Sequence, residues 1–182
     1  EPLDLAALRT GDAVTIVEDS QDSRARRIEA VLAPDRGVWA IVIAQSRYDD
    51  RRLMPSATTS SGAELIRQTL LRHARVVTEQ LLWLPDATRF GVQSAVAEFL
   101  KRVAPDGRLM VYFAGHAAKS EQGDVYLALR DFDPSRAGQT GQDLAALLKS
   151  LDEVKAAEKM FLFDVQYGGQ DRRWQPAAAE LV

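Results

Sequence analysis

His116 stands two residues beyond an apolar run, in VYFAGHA (Val111–Ala117), and Gln166 stands two residues beyond another, in FLFDVQYGG (Phe161–Gly169). The two are 50 residues apart. A histidine held near a second strand end could take a proton from a nucleophile there. The side chain at 166 is an amide, which accepts and donates hydrogen bonds but is no nucleophile. Asp164, two residues before it, could offer a carboxylate to a basic group or simply cap the end of its strand. Both readings stay open at this point.

The composition narrows the chemistry further. The chain has no cysteine and only two histidines, His73 and His116. Disulfides, thiolate metal sites and cysteine catalysis are therefore impossible with these residues, and a histidine-rich metal site is excluded. No cofactor and no metal are expected. The G-x-x-x-x-G-K-S/T loop that cradles phosphates is absent. A net charge of −3 and a pI near 5.5 do not suggest nucleic acid, whose partners carry a basic footprint. No apolar run approaches the ~20 residues of a membrane span, and no signal peptide is visible, so a cytoplasmic location is expected. Absence of cysteine agrees with a reducing compartment.

The elements that must position these residues can be read from hydrophobic period. Residues 1–36 read as an N-terminal β-hairpin extension, with AVTIVE (Ala13–Glu18) and RIEAVLA (Arg27–Ala33) around a polar loop, after a helical turn capped by Asp4. Pro34-Asp35-Arg36-Gly37 marks a turn. From 37 to 182 strands alternate with helices. VWAIVIA (Val38–Ala44), VVTEQLLWL (Val76–Leu84), RLMVYFA (Arg108–Ala114) and KMFLFD (Lys159–Asp164) read as buried strands. AELIRQTLLRH, GVQSAVAEFLKRV and the stretch from Gln142 to Val154 carry apolar residues at helical spacing, and a polar loop runs from Gln45 to Ser61. DVYLAL (Asp124–Leu129) adds a hairpin or edge strand. This order predicts an α/β fold, a three-layer sandwich with a mostly parallel central sheet between helices. Sites in such sheets lie beyond the carboxyl ends of the strands, which selects the loops after Ala44, Ala114 and Asp164.

The two strand-end motifs, their order and their spacing resemble the caspase, metacaspase and bacterial orthocaspase superfamily. There a histidine loop of the Gly-His-Gly kind precedes by roughly 50 residues a strand ending in Asp-x-Cys-x-Ser/Gly-Gly. VYFAGHA is similar to the first motif, with Ala117 at the second glycine, and FLFDVQYGG to the second, with Gln166 at the cysteine. Ala87-Thr88-Arg89 before the second helix, Tyr48 after the first strand and GDVYLALRDFDP after the histidine add to the likeness, which covers Val38 to Gly169. The departures are Ala44 for a usual glycine, Ser60-Ser61 for an aspartate, Ala117 for glycine, and the lost cysteine.

The resemblance implies a caspase-hemoglobinase-like fold over 37–182, matching the large-subunit-like portion; the family's later, groove-completing strands are not expected in the few residues after Gly169. It implies His116 as a vestigial general base, Gln166 at the cysteine position, Ala117 as an oxyanion-hole-like position and Asp164 as an S1-like acid for basic side chains. A base without its nucleophile cannot do covalent catalysis. The expected function is therefore that of a pseudoprotease in a bacterial multidomain signalling protein. Its partner would be a protein or peptide, an active caspase-like homologue included, with no nucleic acid and no membrane. The alternative is a hydrolase with a replacement nucleophile, for which Tyr167, Ser120 and Thr140 are candidates without a visible activating base, or a cysteine-to-glutamine variant of an active Arg/Lys-specific caspase-like cysteine protease. A receiver-like domain is disfavoured, because Ala44-Gln45 stands where clustered acids would be needed.

Overall fold

The computed structural model describes residues 13–18, 25–31, 37–120 and 122–165. The chain divides into two units, Glu1–Asp35 and Arg36–Val182. In the first, β1 (Ala13–Glu18) and β2 (Ala25–Val31) form an antiparallel pair running from Ala13 opposite Val31 to Glu18 opposite Ala25. The register shifts between Val17 and Glu18, the mark of a β-bulge. β1 carries a run of β-branched residues, Val14 to Val17, which favours extended pairing. The helical turn expected after Asp4 lies outside the described residues.

The second unit opens with β3 (Val38–Ala44), whose residues carry no charge and are buried from Ala40 onward. Helix α1 (Ala57–Arg72) follows, then one turn of 3-10 helix at Thr78–Gln80 and β4 (Leu81–Pro85). α2 (Arg89–Leu100) leads to β5 (Arg108–Gly115), the short strands β6 (Ala117–Lys119) and β7 (Val125–Leu127), the helical turn α3 (Ala137–Thr140) and β8 (Gln142–Asp143). α4 (Leu144–Asp152) and β9 (Glu158–Val165) complete the unit.

Three helices start where a short polar side chain caps them. Ser56 Oγ accepts from Thr59 N, Thr88 Oγ1 from Gly91 N, and the Asp143 carboxylate from Ala146 N. The Ser56 cap moves the start of α1 ahead of the position that hydrophobic period suggests. The segment expected to be loop through Ser61 is helical because the cap satisfies a first-turn donor while Thr59 and Ala63 are buried. The opposite correction applies to Val76–Leu84. There the strand begins only at Leu81, after the 3-10 turn.

The main sheet has the order β4-β3-β5-β9, with every pair parallel. A separate antiparallel sheet has the order β6-β7-β8. Parallel strands need crossovers, and here α1 and α2 make the first two, with α4 part of the third. One face of the sheet packs Ile41, Ile43, Val111 and Phe113 against Val92, Val96 and Phe99 of α2 and Leu144, Leu147 and Leu151 of α4. The other packs Ala40, Val42 and Ala114 against Ala63 and Leu70 of α1. The fold is thus α/β, with helices on both sides of a four-stranded parallel sheet.

β9 departs from the expectation of a strand buried on both faces. Its residues alternate, with Phe161, Phe163 and Val165 against the α2/α4 core and Met160 and Leu162 outward at 57% and 40% exposure. The reason is position. Among the described residues β9 has a neighbour only in β5, and α1 does not reach across its outer face.

Candidate functional site

The sheet order sets the location. From β3 the chain crosses to β4 on one side, then returns past β3 to β5 on the other. The connections diverge at the carboxyl ends of β3 and β5, and a crevice forms at such a switch point. Gln45 follows β3 there and His116 follows β5.

His116 is 6% exposed and held from several directions. Its backbone N–H donates to Tyr48 Oη at 3.0 Å, and its carbonyl accepts from Ala128 N at 2.9 Å. The Tyr48 hydroxyl passes its own proton to the Gln45 carbonyl at 3.2 Å. The phenol ring lies 5.2 Å from the imidazole, tilted by 42°. Imidazole Nε2 sits 3.2 Å from the Met54 carbonyl oxygen. A carbonyl only accepts, so Nε2 carries a hydrogen in this contact. The sequence reading found the histidine. The orienting carbonyl left no trace in residue types, because any residue at position 54 supplies one.

Gly115 is required by space at this point. A Cβ there would come within 3.0 Å of both Gln45 Cβ and Tyr48 Oη, at a backbone φ of +158°. The loop after β3 therefore presses directly on the end of β5. Gln45 is fully buried. Its N–H donates to the Ala114 carbonyl at 2.8 Å and its side-chain Nε2 to the Ala87 carbonyl at 3.1 Å, tying together the ends of β3, β4 and β5.

Asp86 fixes the same loop from the other side. It follows β4 with φ of 45°, in the left-handed region that aspartate tolerates better than most residues. Its N–H donates to the Ala44 carbonyl at 2.8 Å. Its carboxylate accepts from Ser46 N at 2.7 Å, Ser46 Oγ at 3.1 Å and Arg47 N at 2.9 Å. Burial pushes the Tyr48 phenol well above its ordinary range; the His116 backbone bond opposes this and the Asp86 charge adds to it. Asp86, Gln45 and Met54 are the residues that sequence reasoning missed. The Pro85-Asp86 pair at a strand end was the available signal for Asp86.

Further along, the loop is pinned by charge. Arg52 bonds the Asp50 carboxylate, Asp133 Oδ1 at 2.8 Å and Ser135 Oγ at 2.8 Å. Arg52 thereby holds the Asp50 carboxyl below its ordinary range. Beneath this network Leu53 packs with Ala118, Ala128 and Phe132. This mixed-charge part of the polar loop is a clamp between the loop after β3 and the turn after β7.

The other expected site residues fall as follows. Ala117 is buried at the start of β6, opposite Leu127, with its methyl in the core. Asp164 is exposed opposite Ala114, and its carboxylate accepts from Tyr112 Oη at 3.3 Å. That phenol is raised by burial and then by the Asp164 charge. Gln166 and Tyr167 lie outside the described residues. β9 runs in register with β5 to the Gly115–Val165 pair, so the residues just before His116 and Gln166 are direct neighbours. Ser120 Oγ engages Asp124, and Thr140 Oγ1 donates to the carbonyls of Asp133 and Arg136. Both hydroxyls belong to local turns. No cluster of three metal-ligating side chains occurs among the described residues. No helix among them is long and apolar enough to cross a membrane.

No protein-family model matches the chain, and no curated protein matches it either.

Proposed function

We propose that this chain is a caspase-like domain without cysteine-protease activity, a pseudoprotease that works by binding a protein or peptide. The observation that carries the reading is the pairing of β5 with β9 through Gly115 and Val165. It brings the histidine motif and the glutamine-bearing motif to adjacent strand ends, as paired base and nucleophile would require. The anchoring of His116 supports the same reading, since its backbone bonds to Tyr48 and Ala128 and the Nε2 contact with the Met54 carbonyl hold the imidazole in one orientation. What is missing is the group to be deprotonated. With no thiol in the chain and Gln166 at the cysteine position, the arrangement retains a base and lacks its substrate.

The test restores the missing atom. The chain and its Gln166→Cys variant are assayed against peptides with Arg or Lys before the scissile bond, with and without Ca²⁺. The proposal expects no cleavage by the chain as it stands and slow cleavage, together with thiol-specific labelling at position 166, in the variant. Cleavage by the unaltered chain would overturn it. A cysteine at 166 that labels no faster than a free thiol, and cleaves nothing, would show that His116 does not reach that position.

A further inference from the structure

At the opposite end of the sheet from His116, a cavity of about 590 Å³ is lined, among the described residues, by Trp39, Val77, Glu79 and Gln80. Trp39 is the second residue of β3, and Glu79 and Gln80 stand just before β4. Ala44 lies five residues along β3 from Trp39, which places the cavity roughly 17 Å from the histidine crevice. It is a separate site.

Its lining has a definite chemistry. Trp39 supplies an aromatic wall, fixed edge-on against Phe99 with ring centroids 5.7 Å apart. Val77 supplies aliphatic surface. The Glu79 carboxylate is exposed and forms no ion pair among the described residues. An anion would be repelled by Glu79, and a neutral apolar group would desolvate that carboxylate without compensation. A cation on an apolar stem satisfies both walls, the stem against Trp39 and Val77 and the charge on Glu79. A guanidinium fits better than an ammonium, because it stacks on an aromatic face and forks onto a carboxylate. The chain already uses that contact elsewhere, with the Arg67 guanidinium 5.7 Å from the centre of the Trp83 ring. The volume lies within the range of small-ligand pockets and takes one side chain with its flanking backbone.

We infer that this cavity binds an arginine side chain presented by a partner polypeptide. The site is independent of the histidine crevice, so its fate does not depend on the pseudoprotease reading. The test is titration of the ¹⁵N-labelled full chain with N-acetyl-arginine amide, following the Trp39 indole N–H signal, which a Trp39→Phe variant identifies. N-acetyl-citrulline amide, of nearly equal shape and no charge, is the control. The expected result is a saturable shift of the Trp39 signal with the arginine compound, at least about tenfold weaker binding of the citrulline compound, and a similar loss in Glu79→Gln. Glu79 is on the surface, so that variant keeps the fold. Equal binding of the two compounds, unchanged binding in Glu79→Gln, or no shift at millimolar arginine compound would each overturn the inference.

Discussion

β5 and β9 are neighbours of equal length that carry the two motif loops, yet they are built differently. β5 lies between β3 and β9, and both of its faces are covered, so its last five residues are all buried. β9 has one strand neighbour among the described residues and one covered face, and its side chains alternate between core and solvent. Tyr48, Met54 and Ala128 hold His116 at the end of β5 through its backbone and its ring. His116 thus follows a central strand of the sheet, while β9 has a strand neighbour on one side alone among the described residues.

The sharpest way to break this comparison uses the register pair Phe113 and Phe163, one from each strand. Phe113 is 1% exposed and sits in the core with Phe99 and Leu109, so Phe113→Ala should destabilise by about 3–5 kcal/mol. Phe163 touches the same core but is only partly buried, and Phe163→Ala should cost about 1–3 kcal/mol. Urea unfolding of both variants measures the difference. Equal losses would mean that β9 is buried by something beyond the described residues, and the contrast would fail.

Gly115→Ala attacks the junction between the central strand and the site. The added methyl meets Gln45 and Tyr48 at 3.0 Å, so these neighbours must give way by a few tenths of an ångström, and the backbone there disfavours any side chain. A loss of about 1–3 kcal/mol is expected, together with a changed chemical shift for the His116 ring, because the Tyr48 clamp must move. A full-strength fold with an unchanged imidazole signal would show that the loop after β3 is softer than its hydrogen bonds indicate.

Tyr48→Phe removes one donor and one acceptor, leaving the His116 N–H and the Gln45 carbonyl to find other partners, at about 1–2 kcal/mol. Its pH signature is more diagnostic than its size. The folded phenol titrates above its unfolded value, chiefly because it is buried. The unfolded chain therefore releases this proton first as pH rises past about 10, and stability contributed by the protonated phenol is present below that pH and lost above it. Between pH 10 and 11 the parent should lose up to about 1.4 kcal/mol more than the phenylalanine variant. Parallel stability profiles in that window would remove Tyr48 from the buried clamp.

How much of this was legible in the sequence follows from the same physics. β3 and β5 could be read as uninterrupted apolar runs because central parallel strands bury both faces. β9 could not be read as an edge strand, since KMFLFD is as apolar as a buried run and nothing local records which strands become neighbours. α2 and α4 announced themselves through Val92, Val96 and Phe99 and through Leu144, Leu147 and Leu151 at helical spacing. The start of α1 was hidden because ATTSSG is polar and only the Ser56 cap reveals it. At the site, His116 stood out by type and spacing. The contributions of Gln45 and Met54 rest on backbone groups or on an amide with no characteristic pattern, so only the fold exposes them.

The smallest expected effect closes the comparison from the β9 side. Leu162 projects from the open face of the strand, directly opposite Tyr112, and keeps 40% of its surface in water. Leu162→Thr retains β propensity while removing apolar area that is only partly buried, so unfolding should shift by less than about 1 kcal/mol. Polar substitution here also reduces the exposed apolar strip that Met160 and Leu162 form on a strand whose outer edge has no partner among the described residues, and aggregation on heating should decrease. Light scattering during a thermal ramp reads that change directly. A loss as large as that of Phe163→Ala would place Leu162 under a cover, and β9 would then be a second central strand.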